Sequence, residues 1–78
     1  MNRPPVRART FVRIAADIIE VPTAMILGPS RSPYLVAARW IGMAMAHRHG
    51  HSHAAIGRAF HRDPTTVAHA VQKVSGRT

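Results

Sequence analysis

Helix-breaking residues constrain this chain more firmly than anything else in it. Proline or glycine stands at Pro22, Gly28, Pro29, Pro33, Gly50 and Pro64, positions where a helix must end or can begin. Between these breaks apolar residues recur at spacings of three and four, and no run alternates as a strand would. The expected fold is therefore all-α, a small bundle of about five short helices. A length of 78 residues leaves room for one domain. A hydrophobic content of 46% supplies a packed core, and the absence of cysteine excludes disulfides and thiolate zinc sites.

The segments can be read in order. Residues 1–9 carry Arg3, Arg7 and Arg9 with two prolines and read as a flexible basic arm, leaving residues 10–78 as the domain. Thr10 can cap a first helix running to about Val21, with Phe11, Ile14, Ala15 and Ile18 facing inward. PTAMIL, Pro22 to Leu27, fits a short second helix. GPSRSP, Gly28 to Pro33, is a tight loop with Arg31 at its middle. The third helix, Tyr34 to about Arg48, is apolar nearly all round and belongs at the centre. Its apolar stretch, Tyr34 to Ala46, contains Arg39 and is far shorter than the roughly 20 residues of a membrane span. Ser52 can cap a fourth helix with Ala55, Ile56, Ala59 and Phe60 inward. Asp63 and Pro64 make a favourable start for a fifth, whose inward stripe is Val67, Ala70, Val71 and Val74. That leaves Thr65, Thr66, His69, Gln72 and Lys73 outward.

Charge narrows the function. Eleven basic residues, ten of them Arg, stand against Asp17, Glu20 and Asp63, giving a net charge of +8. Such an excess favours a polyanionic partner, nucleic acid first and an anionic membrane second. A membrane helix of that kind would be strongly amphipathic and rich in lysine, and none is present. The N-terminus lacks the apolar run of a signal peptide, so a cytoplasmic, nucleoid-associated protein is expected. The scattered acids offer no paired-carboxylate site and no triad, so neither enzyme nor cofactor is implied.

The fourth and fifth helices are joined by about three residues, His61 to Asp63, the connection length of a helix-turn-helix. In that motif the N-terminal end of the second helix enters the major groove. Thr65 and Thr66 suit it, with hydroxyls for polar base edges and methyls for thymine. Asp63 can accept from a cytosine amino group, and Arg62 can reach phosphate or guanine. Read alone, Asp63-Pro64-Thr65-Thr66 is simply a well-capped helix start; the charge and the polar outward face favour DNA.

The segment from Val36 to Val74 resembles the C-terminal DNA-binding domain of the bacterial replication initiator DnaA. The resemblance rests on Arg39-Trp40-Ile41-Gly42-Met43, on Ser52 through Phe60 with its Ile56-Gly57-x-x-Phe60 core, and on Arg62-Asp63-Pro64-Thr65-Thr66-Val67. Ile14 to Arg31 matches more loosely. The resemblance implies a helical bundle with a helix-turn-helix that binds double-stranded DNA at short asymmetric boxes in replication origins. It assigns Arg31 to the minor groove, Asp63, Thr65 and Thr66 to the major groove, and Arg62 and the His47 region to phosphates. Pro64 replaces the family's histidine, which implies an altered box, and His61 replaces its glycine. The family's nucleotide-binding domain has no counterpart here, which suggests an accessory or competing factor acting with a replication or transcription protein.

Other conspicuous residues have plainer alternatives. His47, His49, His51 and His53 alternate, as loose metal ligands, as phosphate-facing groups that charge as pH falls through about 6.5, or as a solvated connector. Arg39 is expected to point out of the bundle toward phosphate, to sit at an ordinary exposed position, or to pair with Asp17 or Glu20. His69, on the outward face of the fifth helix, is a further DNA-facing candidate. Trp40, Met43 and Met45 read as core, and Gly57 as a close-crossing point of the last two helices. A transcriptional regulator using the same module at unrelated sites, and a basic module docking an acidic protein, remain as alternatives.

Overall fold

The computed structural model describes residues 6–76; most of the basic arm, residues 1–5, lies outside them. Among the described residues the elements are α1 Ala8–Ile18, α2 Thr23–Leu27, α3 Pro33–Arg48, α4 His53–Phe60 and α5 Pro64–Ser75, with no strand. The all-α bundle expected from the breaker pattern is the fold observed.

α3 touches each of the other four helices, which is why its sequence is apolar on most sides. Leu35, Ala38, Met43 and Ala46 join Phe11, Ile26, Ile56, Phe60 and Val67 in one core. Gly42 sets the distance between α3 and α1. A Cβ there would stand 3.0 Å from Ala15 Cβ, from the Phe11 carbonyl oxygen and from Phe60 Cζ. Phe11 and Ala15 face inward as the sequence reading has them, but the rest of the stripe differs. The buried face of α1 is Phe11, Val12, Ala15 and Ala16, whereas Ile14 is only partly buried and Ile18 is exposed. Small side chains let the two backbones meet, and the larger isoleucines are turned aside.

The ends of α1 also differ from expectation. The helix starts at Ala8, after an extended Arg7 whose carbonyl accepts from Thr10 N–H at 3.0 Å, so Thr10 is inside rather than capping. It stops at Ile18 because Pro22 keeps Val21 out of the helical region and Glu20 takes a left-handed turn (φ 57°). The later starts follow their local signals. Ser52 Oγ accepts from Ala55 N–H at 3.1 Å, and Asp63 Oδ1 accepts from Thr65 N–H at 2.7 Å.

Gly57 brings α4 onto the turn that leads to α5. A Cβ at Gly57 would lie 2.5 Å from the Arg62 carbonyl oxygen, so only glycine fits without moving the turn. His61 closes α4 in the left-handed conformation (φ 58°, ψ 45°), a position where glycine is the unstrained residue.

Candidate nucleic-acid interface

Two arginines organise the loop that carries Arg31. α2 ends with its last carbonyls pointing toward α3, where they lack helical partners. Arg39 reaches them from α3. Its Nε donates to Ile26 O at 2.7 Å, Nη2 to Met25 O and Gly28 O at 3.0 Å each, and Nη1 to Ser30 O at 2.6 Å. The residue is only 5% exposed. All three expectations for Arg39 are therefore corrected. It is nearly buried, reaching only the groove shared by Arg31 and Thr66, and its donors go to backbone carbonyls rather than to phosphate, Asp17 or Glu20. A lone cation buried in an apolar helix is tolerable because four carbonyl dipoles and the negative end of α2 surround it. Burial holds its pKa below the ordinary arginine range, and the nearby Arg62 cation pushes the same way.

Arg62 completes the arrangement from the turn between α4 and α5. Its Nη2 donates to Gly28 O at 2.7 Å, and Nη1 lies within 3.1–3.3 Å of the carbonyls of Phe60, His61 and Leu27. Its guanidinium is half-buried against the loop, so its first role is to tie the helix-turn-helix to the basic loop. Gly28 O accepts from both arginines, which fixes the loop at the point where it leaves α2. Arg31 itself is exposed beyond this anchor.

The tip of α5 is open. Asp63, Pro64, Thr65 and Thr66 are all exposed, and so is His69 one turn further along. Pro64 lacks an N–H, and the Asp63 carboxylate holds the Thr65 N–H. The threonine side chains project from a helix start fixed by its cap. Thr66 and Arg31 line one groove of about 300 Å³, whose floor includes Val36, Trp40 and Met43. The loop and the helix tip thus share one side of the molecule. His69 packs edge-on against Trp40, with ring centroids 5.7 Å apart, which braces α5 against α3.

Residues 9–74 match the family described as the bacterial dnaA protein helix-turn-helix. The chain belongs to that family. No curated protein and no solved structure matches it. The DnaA helix-turn-helix is a DNA-binding domain and not an enzyme, so DNA is the partner that the family gives this chain. In this DnaA domain α4 and α5 are the two helices of the motif.

His47 stands apart from the groove. It lies two turns beyond Arg39 on α3, about 12 Å along the helix axis, and is exposed. The alternating histidines divide into two pairs. His47 and His53 lie ring to ring at 4.8 Å, while His49 and His51 pack on Phe11 at 5.1 and 6.0 Å. His51 Nε2 also donates to Val6 O, tying the start of the described chain to the α3–α4 connection. Among the described residues no three His, Asp or Glu side chains come together as a metal site. Nor is any helix there long and apolar enough to cross a membrane.

Sequence reasoning missed the carbonyl cage around Arg39. The available signal was an arginine in the middle of an apolar helix, close to a short helix ending in Gly28-Pro29. An unpaired cation in that setting needs acceptors, and the nearest are the last carbonyls of the short helix.

Proposed function

We propose that this chain binds double-stranded DNA sequence-specifically, with the N-terminal turn of α5 in the major groove and Arg31 in the adjacent minor groove. The observation that carries the reading is that Arg31 and Thr66 line the same groove, so one duplex can meet both. Thr65 and Thr66 offer hydroxyls and methyls to base edges, and Asp63 keeps a second carboxylate oxygen for a cytosine amino group. The exposed first turn adds the Thr66 N–H and the helix dipole for a phosphate. Arg39 and Arg62 act behind the interface by holding the Arg31 loop, and Arg62 keeps a partly exposed edge toward the backbone. His69, one turn beyond the reading tip, is a further candidate there, whereas His47, at the far end of α3, could reach only a phosphate away from the groove.

The sites are DnaA-box-like in this reading, and binding them modulates replication initiation. Pro64 presents no hydrogen-bonding side chain, so the preferred box differs where a histidine would read a base. Selection of bound sites from a random DNA pool tests the proposal directly. A short asymmetric motif related to an initiator box is expected; a palindrome unrelated to it would point to a dimeric transcriptional regulator. Thr65→Ala should cost about 1–3 kcal/mol on the selected site and much less on scrambled DNA. Unchanged discrimination by Thr65→Ala would show that α5 does not dock as described.

A further inference from the structure

A second basic groove lies outside the interface just described. It has a volume of about 810 Å³ and runs between α1, α2 and α4, with Arg7, Arg9, Arg13, Arg58 and His61 on its walls and Leu27 among its floor residues. All five wall residues are exposed. None of the chain's three acids, Asp17, Glu20 or Asp63, lines it. Arg9 and Arg13 are one helical turn apart and so share a face of α1, while Arg58 opposes them from α4.

The two grooves are neighbours. Leu27 and His61 line this one; Arg62, which lines the Arg31–Thr66 groove, donates to the carbonyls of both residues. A single ridge of backbone therefore separates them. α4 is the first helix of the helix-turn-helix, the one that crosses the DNA backbone when the second enters the major groove. The charge also has to come from somewhere. Arg39 is committed to loop carbonyls and Arg62 largely so, so most of the cations available for phosphate are elsewhere, and four of the ten arginines line this groove.

We propose that Arg9, Arg13 and Arg58 form a phosphate-binding tract that grips the DNA backbone flanking the bases read by α5. The inference rests on the proposed DNA docking for its placement and extends the footprint beyond the box. The tract carries no sequence information, because phosphate contacts position a protein without distinguishing bases. It sets affinity and salt dependence, whereas the α5 tip and Arg31 set specificity.

The test compares the wild-type chain with Arg9→Ala/Arg13→Ala/Arg58→Ala, exposed positions on helices where alanine is well accommodated. Circular dichroism first establishes that the variant keeps its helices and melting temperature. Binding is then followed by fluorescence anisotropy across a salt series, on the selected site with about ten flanking base pairs each side and on the same site trimmed of its flanks. Each phosphate neutralised contributes about 0.9 to the slope of log K against log salt. The variant's slope should be shallower by about two to three on the flanked duplex, with equal losses for matched and scrambled sites. On the trimmed duplex the wild type should fall to the variant's slope. An unchanged slope on the flanked duplex would overturn the tract and leave the groove to an acidic protein segment. Equal slope losses on both duplexes would overturn its placement on the flank. Failure of the α5 docking shows separately, as unaltered discrimination in Thr65→Ala, since the salt slope can be read on any duplex.

Discussion

Replacing Arg39 tests how the Arg31 loop is held. Arg39→Ala removes four hydrogen bonds, of which the one to Ile26 O is buried and the other three are partly buried. The buried bond has a charged donor and is worth about 1.5–3 kcal/mol. The remaining carbonyls belong to Met25, Gly28 and Ser30, which are exposed or partly exposed, so water can replace the guanidinium there at about 0.5 kcal/mol each. Loss of the packed aliphatic stem adds about 1 kcal/mol. The sum is about 4–5.5 kcal/mol. A domain of this length has a total stability of only about 4–12 kcal/mol, so Arg39→Ala should lose between about a third and all of it. Arg39→Lys keeps the charge but lacks the planar fork that spans four acceptors, and should cost about 2 kcal/mol while remaining folded. Urea denaturation followed by circular dichroism measures both. The lysine variant also separates positioning from mere stability. Discrimination at base pairs beneath Arg31 should weaken while discrimination beneath Thr65 holds. A loss below about 1 kcal/mol for Arg39→Ala, or equal weakening at both sets of base pairs for Arg39→Lys, would refute the reasoning.

Two further outcomes follow from the turn between α4 and α5. Gly57→Ala drives a methyl against the Arg62 carbonyl, 2.5 Å from the ideal Cβ position, and should destabilise the chain by about 1–3 kcal/mol; thermal melting decides it, and an unshifted midpoint would mean the turn yields freely. His61→Gly relieves a left-handed residue (φ 58°) at some cost in unfolded-state entropy, so a net gain of about 0.5–1 kcal/mol is expected in the same melts; a loss would show that the imidazole contributes more than its backbone strain costs.

The later helices were legible because their signals are local. Ser52 and Asp63-Pro64 cap the segments they precede, and Gly50 breaks the chain where α3 ends. The outward set Thr65, Thr66, His69, Gln72 and Lys73 is exposed as its spacing requires. The phase of α1 was not legible. Phe11 and Ala15 suit either of two stripes, and the choice between Ile14/Ile18 and Val12/Ala16 is made by packing against the other helices, which the periodicity of α1 alone does not record. Arg39 was misplaced for a related reason. Its partners are backbone carbonyls, which every residue possesses, so no side-chain pattern advertises them. The meeting of Arg31 with the α5 tip was anticipated only through the DnaA resemblance; composition and periodicity carry no information about that approach. His61 shows the converse, since the glycine of the family pattern marks a backbone conformation that this chain adopts with an imidazole instead.

Adjacent residues of α3 face the two halves of the proposed interface. Arg39 anchors the minor-groove loop, and Trp40 abuts His69 on the reading helix. A single stiff rod thus gauges the separation between both contacts. Inserting one base pair between the corresponding DNA positions would rotate one contact away from the other, and no hinge lies between residues 39 and 40 to follow it. In the proposed docking, the spacing tolerated between the two contacts on a duplex is consequently set by the rigidity of α3.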